Sequence, residues 1–291
     1  MRQKITDRRI GRSAENNRES QGQKKMKVLI KGAGDLASGI GCRLHRSGFQ
    51  VVMTDIAVPT TVRRTVAFSR AVYEERAVVE DVTGVLCRGL EDIEKALSKD
   101  QVAVIVDEEC KIREVWKPDA VVDAIIAKVN LGTRITDGEI VVGVGPGFTA
   151  GLDCHVVVET KRGHDLGRCI WKGSAVPNTG VPGMIGGYDK ERIIRAAAGG
   201  LFQGAVKIGD LVEKGQVVGY SGKTPIYAQV GGVVRGLLQD GVAVVEGMKS
   251  GDIDPRGVID NCFTISDKAS AIGGGVIEAI LGLKKKRRKG K

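Results

Sequence analysis

Aromatic residues supply only 4% of this 291-residue chain, and it contains just seven prolines. Its 41 glycines follow no short fixed period, so collagen-like and low-complexity architectures are excluded. No stretch approaches the roughly 18 uninterrupted apolar residues that a membrane-spanning helix needs. The six cysteines (Cys42, Cys87, Cys110, Cys154, Cys169 and Cys262) form no Cys-x-x-Cys pair. That spacing disfavours a structural zinc or iron–sulfur site, and no metal is expected. The first 25 residues lack the apolar segment of a secretory signal, so a cytoplasmic setting with reduced thiols is expected. What is present is ample apolar content, 42% of residues, for a chain whose length suggests about two domains.

Charge is unevenly placed. The formal net charge is +10, yet residues 1–25 carry eight Lys/Arg against three acids, and Lys284-Lys285-Lys286-Arg287-Arg288-Lys289-Gly290-Lys291 adds seven more cations. The body between them is therefore close to neutral. Such basic ends bind polyanions without specificity, and no specific nucleic-acid function is expected. Residues 1–26 read as a disordered basic extension, with Met26 a candidate start, and residues 284–291 as a basic tail.

At Lys27-Val28-Leu29-Ile30 the composition turns to that of a buried strand, followed by Lys31-Gly32-Ala33-Gly34-Asp35-Leu36-Ala37 and a helical apolar spacing through Leu44. A second strand, Val51-Val52-Met53-Thr54, ends in Asp55. Gly32-x-Gly34-x-x-Ala37 fits the relaxed dinucleotide-binding fingerprint. Gly32 allows the tight turn, Gly34 lets a diphosphate approach backbone N–H groups, and Asp55 is placed to accept ribose hydroxyls. The candidate cofactor-binding residues are thus Gly32, Ala33, Gly34, Asp35 and Asp55. The alternative reading is that the glycines merely serve a tight turn.

Further β-branched runs follow at Val102-Ala103-Val104-Ile105-Val106, Ala120-Val121-Val122-Asp123 and Ile140-Val141-Val142-Gly143-Val144. Continuous apolar strands alternating with helices predict a parallel sheet covered on both faces, a Rossmann-like domain over 27–150. Ligands bind at the carboxyl ends of such strands. That makes Lys128, Asn130, Gly145 and Gly147 weaker ligand candidates.

Gly209, Val212, Gly215 and Gly219 recur 32 residues later as Gly241, Val244, Gly247 and Gly251. The repeat, with Ile226-Tyr227-Ala228 between its halves, predicts a small biotinyl/lipoyl-type β barrel sandwich over 201–262. Carriers of that type modify a lysine at a hairpin tip. Lys223 in Ser221-Gly222-Lys223-Thr224 lacks the neighbours such carriers show, so an ordinary turn lysine is the expectation. Fold alone assigns no function.

Residues 151–200 read as a connecting segment. Within it, Arg162 and His164 in a Gly-bounded turn are candidates to bind an anion or move a proton. Asp153, Cys154 and His155 are adjacent on one strand and point to alternating faces, which prevents their converging on a metal. Residues 263–283 read as a terminal helix, with Ser266 or Asp267 as its cap.

Several stretches together resemble a known family: Ile30-Lys31-Gly32-Ala33-Gly34-Asp35-Leu36-Ala37, Arg63-Arg64-Thr65-Val66-Ala67-Phe68-Ser69, Val122-Asp123-Ala124-Ile125-Ile126-Ala127-Lys128, Gly145-Pro146-Gly147-Phe148-Thr149-Ala150-Gly151, Glu159-Thr160-Lys161-Arg162-Gly163-His164, Pro177-Asn178-Thr179-Gly180 and Gly251-Asp252-Ile253-Asp254-Pro255-Arg256. The series resembles the YqeB-type proteins of selenium-dependent molybdenum hydroxylase systems, over about residues 27–283. The resemblance implies an accessory or maturation factor that binds a nucleotide or pterin-dinucleotide cofactor, NAD-type or molybdenum pterin dinucleotide, and a client molybdenum hydroxylase or its maturation machinery. It supplies no catalytic residues. Two alternatives stand beside it: an NAD-dependent oxidoreductase, with Asp55 reading ribose and His164 as acid or base, and a non-catalytic structural adaptor.

Overall fold

A computed structural model describes residues 25–178, 180 and 183–289, without the side chains of 288 and 289. The expected disorder of the N-terminal extension lies almost wholly outside these residues. Apolar, β-branched runs supply the strands of a nine-stranded sheet: β1 (Lys27–Lys31), β2 (Gln50–Asp55), β3 (Arg76–Val79), β4 (Val82–Cys87), β5 (Val102–Val106), β6 (Ala120–Asp123), β7 (Ile140–Val144), β9 (Val156–Val158) and β10 (Cys169–Ile170). A short pair, β8 (Thr149–Ala150) with β11 (Gly173–Ser174), stands apart from it. The strand order is β10-β9-β7-β6-β1-β2-β5-β4-β3. The seven inner strands run parallel, whereas β3 and β10 pair antiparallel at the two edges.

The helices are α1 (Asp35–Arg46), α2 (Ala71–Glu74), α3 (Leu90–Ser98), α4 (Ile112–Trp116) and α5 (Asp267–Lys289). α1 and α5 pack together on one face, where Ile40, Leu44, Ile272, Val276 and Ile280 share a core with β1, β2, β6 and β7. Gly39 makes this close approach possible, because a Cβ there would lie 2.6 Å from the Ala269 methyl. α3 and α4 cover the opposite face with Ile93, Ala96, Ile112 and Trp116.

The remaining strands are β12 (Ile193–Arg195), β13 (Gly200–Gly204), β14 (Leu211–Val212), β15 (Val217–Ser221), β16 (Thr224–Tyr227), β17 (Gly232–Leu237), β18 (Ala243–Val244) and β19 (Lys249–Asp254). They form two four-stranded antiparallel sheets, ordered β12-β19-β17-β14 and β16-β15-β13-β18, around Phe202, Val218, Val234, Leu237 and Ile253. The repeat has equivalent backbone roles in its two halves. Gly209 and Gly241 both have positive φ, Gly215 and Gly247 likewise, and Val212 and Val244 are both buried.

The expected fold class is corrected. This is a mixed α/β protein with one large mixed sheet and several antiparallel sheets, not a Rossmann-like parallel domain followed by a biotinyl/lipoyl-type barrel. The physical reason lies in the connections. A doubly wound fold places a helix in each crossover, but residues 124–139 and 145–155 hold none among the described residues. The face left bare there is covered from the far end of the chain by α5. In the second region, glycine turns and inward valines specify antiparallel hairpins without specifying how the sheets close. β12, upstream of the repeat, supplies an edge of one sheet. The expected basic tail also changes character, since α5 continues through residues 284–289. Lys286 stacks 4.0 Å from the Trp171 ring centroid.

The two regions are joined tightly. Residues after β2 run along β17, where Leu237 N–H donates to the Val62 carbonyl at 2.8 Å. Arg64 Nε donates to the Leu237 carbonyl at 2.8 Å and its Nη1 to Gln239 at 2.7 Å. Val62 itself is part of the second region's core. Among the described residues, no helix is long and apolar enough to cross a membrane.

Candidate functional site

The glycine turn is built much as its sequence suggests, but its donors are partly spent. Gly32 has φ +94°, and a Cβ there would stand 3.1 Å from the Ala124 carbonyl oxygen, so the turn fits under the loop after β6 only as glycine. Asp55 reaches back from the end of β2. Its Oδ2 accepts the Ala33 N–H at 3.0 Å and its Oδ1 the Ile56 N–H at 2.8 Å. Burial raises the Asp55 pKa, and those two N–H bonds oppose the rise. Lys31, just before the turn, is buried with Nζ 2.6 Å from Thr133 Oγ1 and 3.4 Å from Asp123. It fastens β1 to β6 from below.

Gly32, Ala33, Gly34 and Asp55 line a chamber of about 830 Å3, together with Thr60, Thr61, Asp107, Glu108, Glu109 and Lys111. Lys111 is held by Glu109 at 2.6 Å, so the remaining acids give this chamber a negative wall. Asp35, the first residue of α1, belongs to a different cavity. It lines a cleft of about 480 Å3 between the large sheet and the β-rich region.

That cleft is strongly cationic. Arg63, Lys161, Arg162, Arg192, Arg235, Lys249 and Lys268 line it, with Asp35 as its lining acid. Behind them, Asp252 is buried and takes ion pairs from both Arg192 and Arg235, the latter through Nε at 2.6 Å. Asp254, also buried, accepts two bonds from Arg256, at 2.9 and 2.6 Å. Asp267 takes a two-pronged bond from Arg162, at 2.6 and 3.0 Å, which lowers its pKa to about 2. Glu159, 3% exposed, caps the backbone of Thr160, Lys161 and Val176. With Arg256 counted, eight cations face the five carboxylates of Asp35, Glu159, Asp252, Asp254 and Asp267, an excess of three.

Two features show that this excess is built in. Arg63 is only 6% exposed, with Nη2 donating to the Asn261 carbonyl at 2.8 Å and Nη1 lying 3.7 Å from Asp35. Its buried Nε has no hydrogen-bond partner among the described residues. A buried guanidinium N–H without an acceptor is costly, and the charge of Arg63 is held at the cleft wall in spite of that cost. Lys249 and Lys268 both have pKa values below the usual lysine range, desolvation being the larger cause and the cleft's arginines adding to it. Lys249 keeps exposed surface, which tempers its desolvation; half-buried Lys268 is the firmer case.

The residues proposed from sequence thus separate into groups. Asp35 and Arg162 reach the cleft. Gly32, Ala33, Gly34 and Asp55 face the acidic chamber instead. Gly145 and Gly147, both with positive φ, pack against the Thr160 side chain and the Val129 backbone, while Pro146 between them lines the cleft. Asn130 binds the Thr133 backbone on both sides and is a loop brace. Lys128 and His164 are exposed on loops and line neither cavity. Lys223 is exposed at the β15–β16 turn. Sequence reading missed Arg63, Arg192, Arg235, Lys249 and Lys268. Arg63 and the Asp252/Asp254 pair did stand in conspicuous stretches, but nothing local marks their convergence.

Among the described residues, no group of three or more His, Cys, Asp or Glu side chains is arranged to hold a metal ion. His155 Nδ1 accepts the Val141 N–H at 3.0 Å, and burial lowers its pKa. The six cysteines are free, and Cys42 is pushed by burial to a pKa of about 12, which leaves it a packing residue.

No family model matches the chain. It is 50% identical over 254 residues to the uncharacterized protein YqeB of Escherichia coli strain K12, across 87% of this chain and 47% of that protein. The chain therefore spans about half the length of this curated relative. The likeness supports the YqeB family and carries no activity with it. Among solved structures, the chain resembles an aspartoacylase family protein from Mesorhizobium loti with a TM-score of 0.25 at 12% identity, covering 79% of this chain and 85% of that one. The ectoine utilization protein EutE (DoeB) from Ruegeria pomeroyi gives a TM-score of 0.23 at 10% identity, over 79% and 86%.

Proposed function

We propose that this chain is an accessory factor that binds a phosphate-bearing cofactor in the cationic cleft and serves a molybdenum hydroxylase system. The single observation behind the binding half of this reading is the excess of cations around a cleft whose arginines are fixed by buried carboxylates. Anions are held best by guanidinium groups already fixed in place, because little side-chain freedom remains to be lost on binding. Arg192 and Arg235 are fixed by Asp252, and Arg162 by Asp267. The hydroxylase half rests on the resemblance to YqeB-type proteins. A nucleotide or a pterin dinucleotide meets the chemical demand of the cleft.

The test pairs calorimetry with complementation. Purified protein should bind ADP or NAD, and Arg162→Ala should weaken that binding while Lys223→Ala leaves it unchanged. In cells lacking the native protein, Arg162→Ala at matched protein level should lower molybdenum hydroxylase activity. Full hydroxylase activity in cells without any of this protein would end the accessory-factor reading.

A further inference from the structure

The lysines that fasten this fold each have an acceptor. Lys31 Nζ lies 2.6 Å from Thr133 Oγ1, Lys27 donates to the Trp116 carbonyl at 3.0 Å, and Lys111 pairs with Glu109 at 2.6 Å. Lys268 has none. It lines the cationic cleft, and its amine makes no hydrogen bond or ion pair among the described residues. Asp267 beside it is engaged with Arg162, and Glu159 with backbone N–H groups. The amine is not sealed either. The buried side-chain nitrogens without a partner belong to Arg63 and Arg70 among the described residues, so Lys268 Nζ keeps an opening, and the cavity it lines is the cleft. Of the three lysines around that cleft, Lys161 and Lys249 are exposed and Lys268 alone is half-buried.

We propose that Lys268 is a nucleophilic amine that condenses with the carbonyl group of a phosphorylated aldehyde or ketone bound in the cleft, forming an imine. This rests on the reading of the cleft as a phosphate site, and adds the reactive group of its ligand.

Placement frees the amine. An ammonium is disfavoured where water is withdrawn, where other cations crowd it, and in the first turn of a helix. Lys268 is half-buried, stands beside Arg162 and is the second residue of α5. Its pKa lies below the usual lysine range, with burial the larger cause and Arg162 the next, while Asp35, Glu159 and Asp267 pull the other way. The arginines of the cleft cannot take this role, because a guanidinium stays protonated and only donates. Arg162, Arg192 and Arg235, fixed by Asp267 and Asp252, are left to hold the phosphate.

The step balances without a further reactant. The neutral Nζ attacks the carbonyl carbon, and the C=O π pair moves to oxygen. The nitrogen passes its two protons to that oxygen, which leaves as water while the C=N bond forms. One amine and one carbonyl compound give one imine and one water, with nothing oxidised or reduced. The Ser266 and Thr160 hydroxyls and the Asp35 carboxylate line the same cleft and can relay the protons.

Pyridoxal 5′-phosphate, an aldehyde that carries a phosphate, is the probe. The full chain is treated with a limiting amount, the imine is reduced with borohydride, and labelled lysines are mapped by peptide mass spectrometry. Lys268 should be labelled at least about tenfold faster than Lys223, the exposed turn lysine. Pyridoxal, which lacks the phosphate, should show no such preference, and excess inorganic pyrophosphate should protect Lys268 but not Lys223. Lys268→Arg, which keeps the charge and removes the amine, should abolish the pyrophosphate-sensitive adduct. If Lys268 is labelled no faster than Lys223 while calorimetry shows pyrophosphate bound to the wild type, the amine's role is overturned and the cleft survives as an anion site. A preference that pyridoxal shares, or a pyrophosphate-sensitive label on Lys161 or Lys249 instead, also overturns it. If pyrophosphate does not bind the wild type, the phosphate-site reading falls, and this inference with it.

Discussion

The two sides of the α1 N-terminus are built in contrasting ways. On the chamber side, the working groups come from two short arcs of chain, residues 32–61 and 107–111, and Asp55 and Asp107 are tied to backbone N–H groups. On the cleft side they come from positions 35, 63, 192, 235, 249 and 268, and their order depends on buried ion pairs. The difference teaches where stability and binding are coupled. The chamber is a consequence of the turn, whereas the cleft exists only when both regions of the molecule are assembled.

Removing Asp252 should therefore produce the largest effect. It is 1% exposed and lies between Arg192 and Arg235. Asp252→Ala leaves Arg192 buried without its counter-ion and Arg235 with only Asp254, 3.8 Å away, at an expected cost of about 3 to 5 kcal/mol in urea unfolding. A loss below 1 kcal/mol would show that the two arginines relax into solvent and that the cleft is not preorganised. The corresponding change on the chamber side, Asp55→Ala, strips the acceptor from the Ala33 and Ile56 N–H groups. It should cost less, about 1 to 3 kcal/mol, and the same unfolding curves will rank the two.

Protonation separates the sides next. Lys268 and Lys249 have depressed pKa values, so the folded protein holds fewer protons at alkaline pH than the unfolded chain does. Below the folded-state pKa both amines are charged and their desolvation works against folding. That penalty fades as pH rises towards the ordinary lysine range. An anion in the cleft pulls both pKa values back up. Calorimetric titration of pyrophosphate at alkaline pH, in buffers of different ionisation enthalpy, should show proton uptake on binding. No buffer dependence would place the phosphates away from these amines.

A smaller effect concerns Asp267, whose pKa is lowered to about 2 by Arg162. Its contribution to stability is complete above the ordinary carboxylate range and is lost as pH falls towards 2. Its side chain is 70% exposed, so the whole effect should stay within about 1 kcal/mol. Arg162→Ala should remove that stretch of acid dependence from thermal melts. Smallest of all, His164→Ala and Lys223→Ala should leave stability within about 0.5 kcal/mol of wild type and ligand affinity unchanged.

The contrast between the two sides also explains what the sequence revealed. The glycine turn, its strand and helix, and Asp55 were legible because local spacing dictates them, and the 32-residue repeat was legible because hairpin glycines recur. Closure of the folds was not. The antiparallel edges β3 and β10, the return of α5 to cover the sheet, and the addition of β12 all depend on long-range packing that leaves no periodic trace. The glycine fingerprint drew attention to Gly32, Ala33, Gly34 and Asp55, but Asp55 already occupies the Ala33 N–H that a bound phosphate would use. Arg63, Arg192, Arg235, Lys249 and Lys268 are separated by up to 205 residues in sequence, and no motif announces that they share a wall. Their buried carboxylate partners do leave a faint sign in the Asp-Ile-Asp pattern of Asp252-Ile253-Asp254, acids flanking the one large apolar residue of β19.

The most direct measurement is titration of inorganic pyrophosphate into the full chain and into a Lys249→Met, Lys268→Met double variant. Both positions lie outside the buried ion pairs, so the double variant should fold. The wild type is expected to bind, and the double variant to lose at least about tenfold in affinity, about 1.4 kcal/mol. Equal affinity in the two proteins, or no binding of pyrophosphate or ADP to the wild type, would contradict the assignment of the cleft as an anion site.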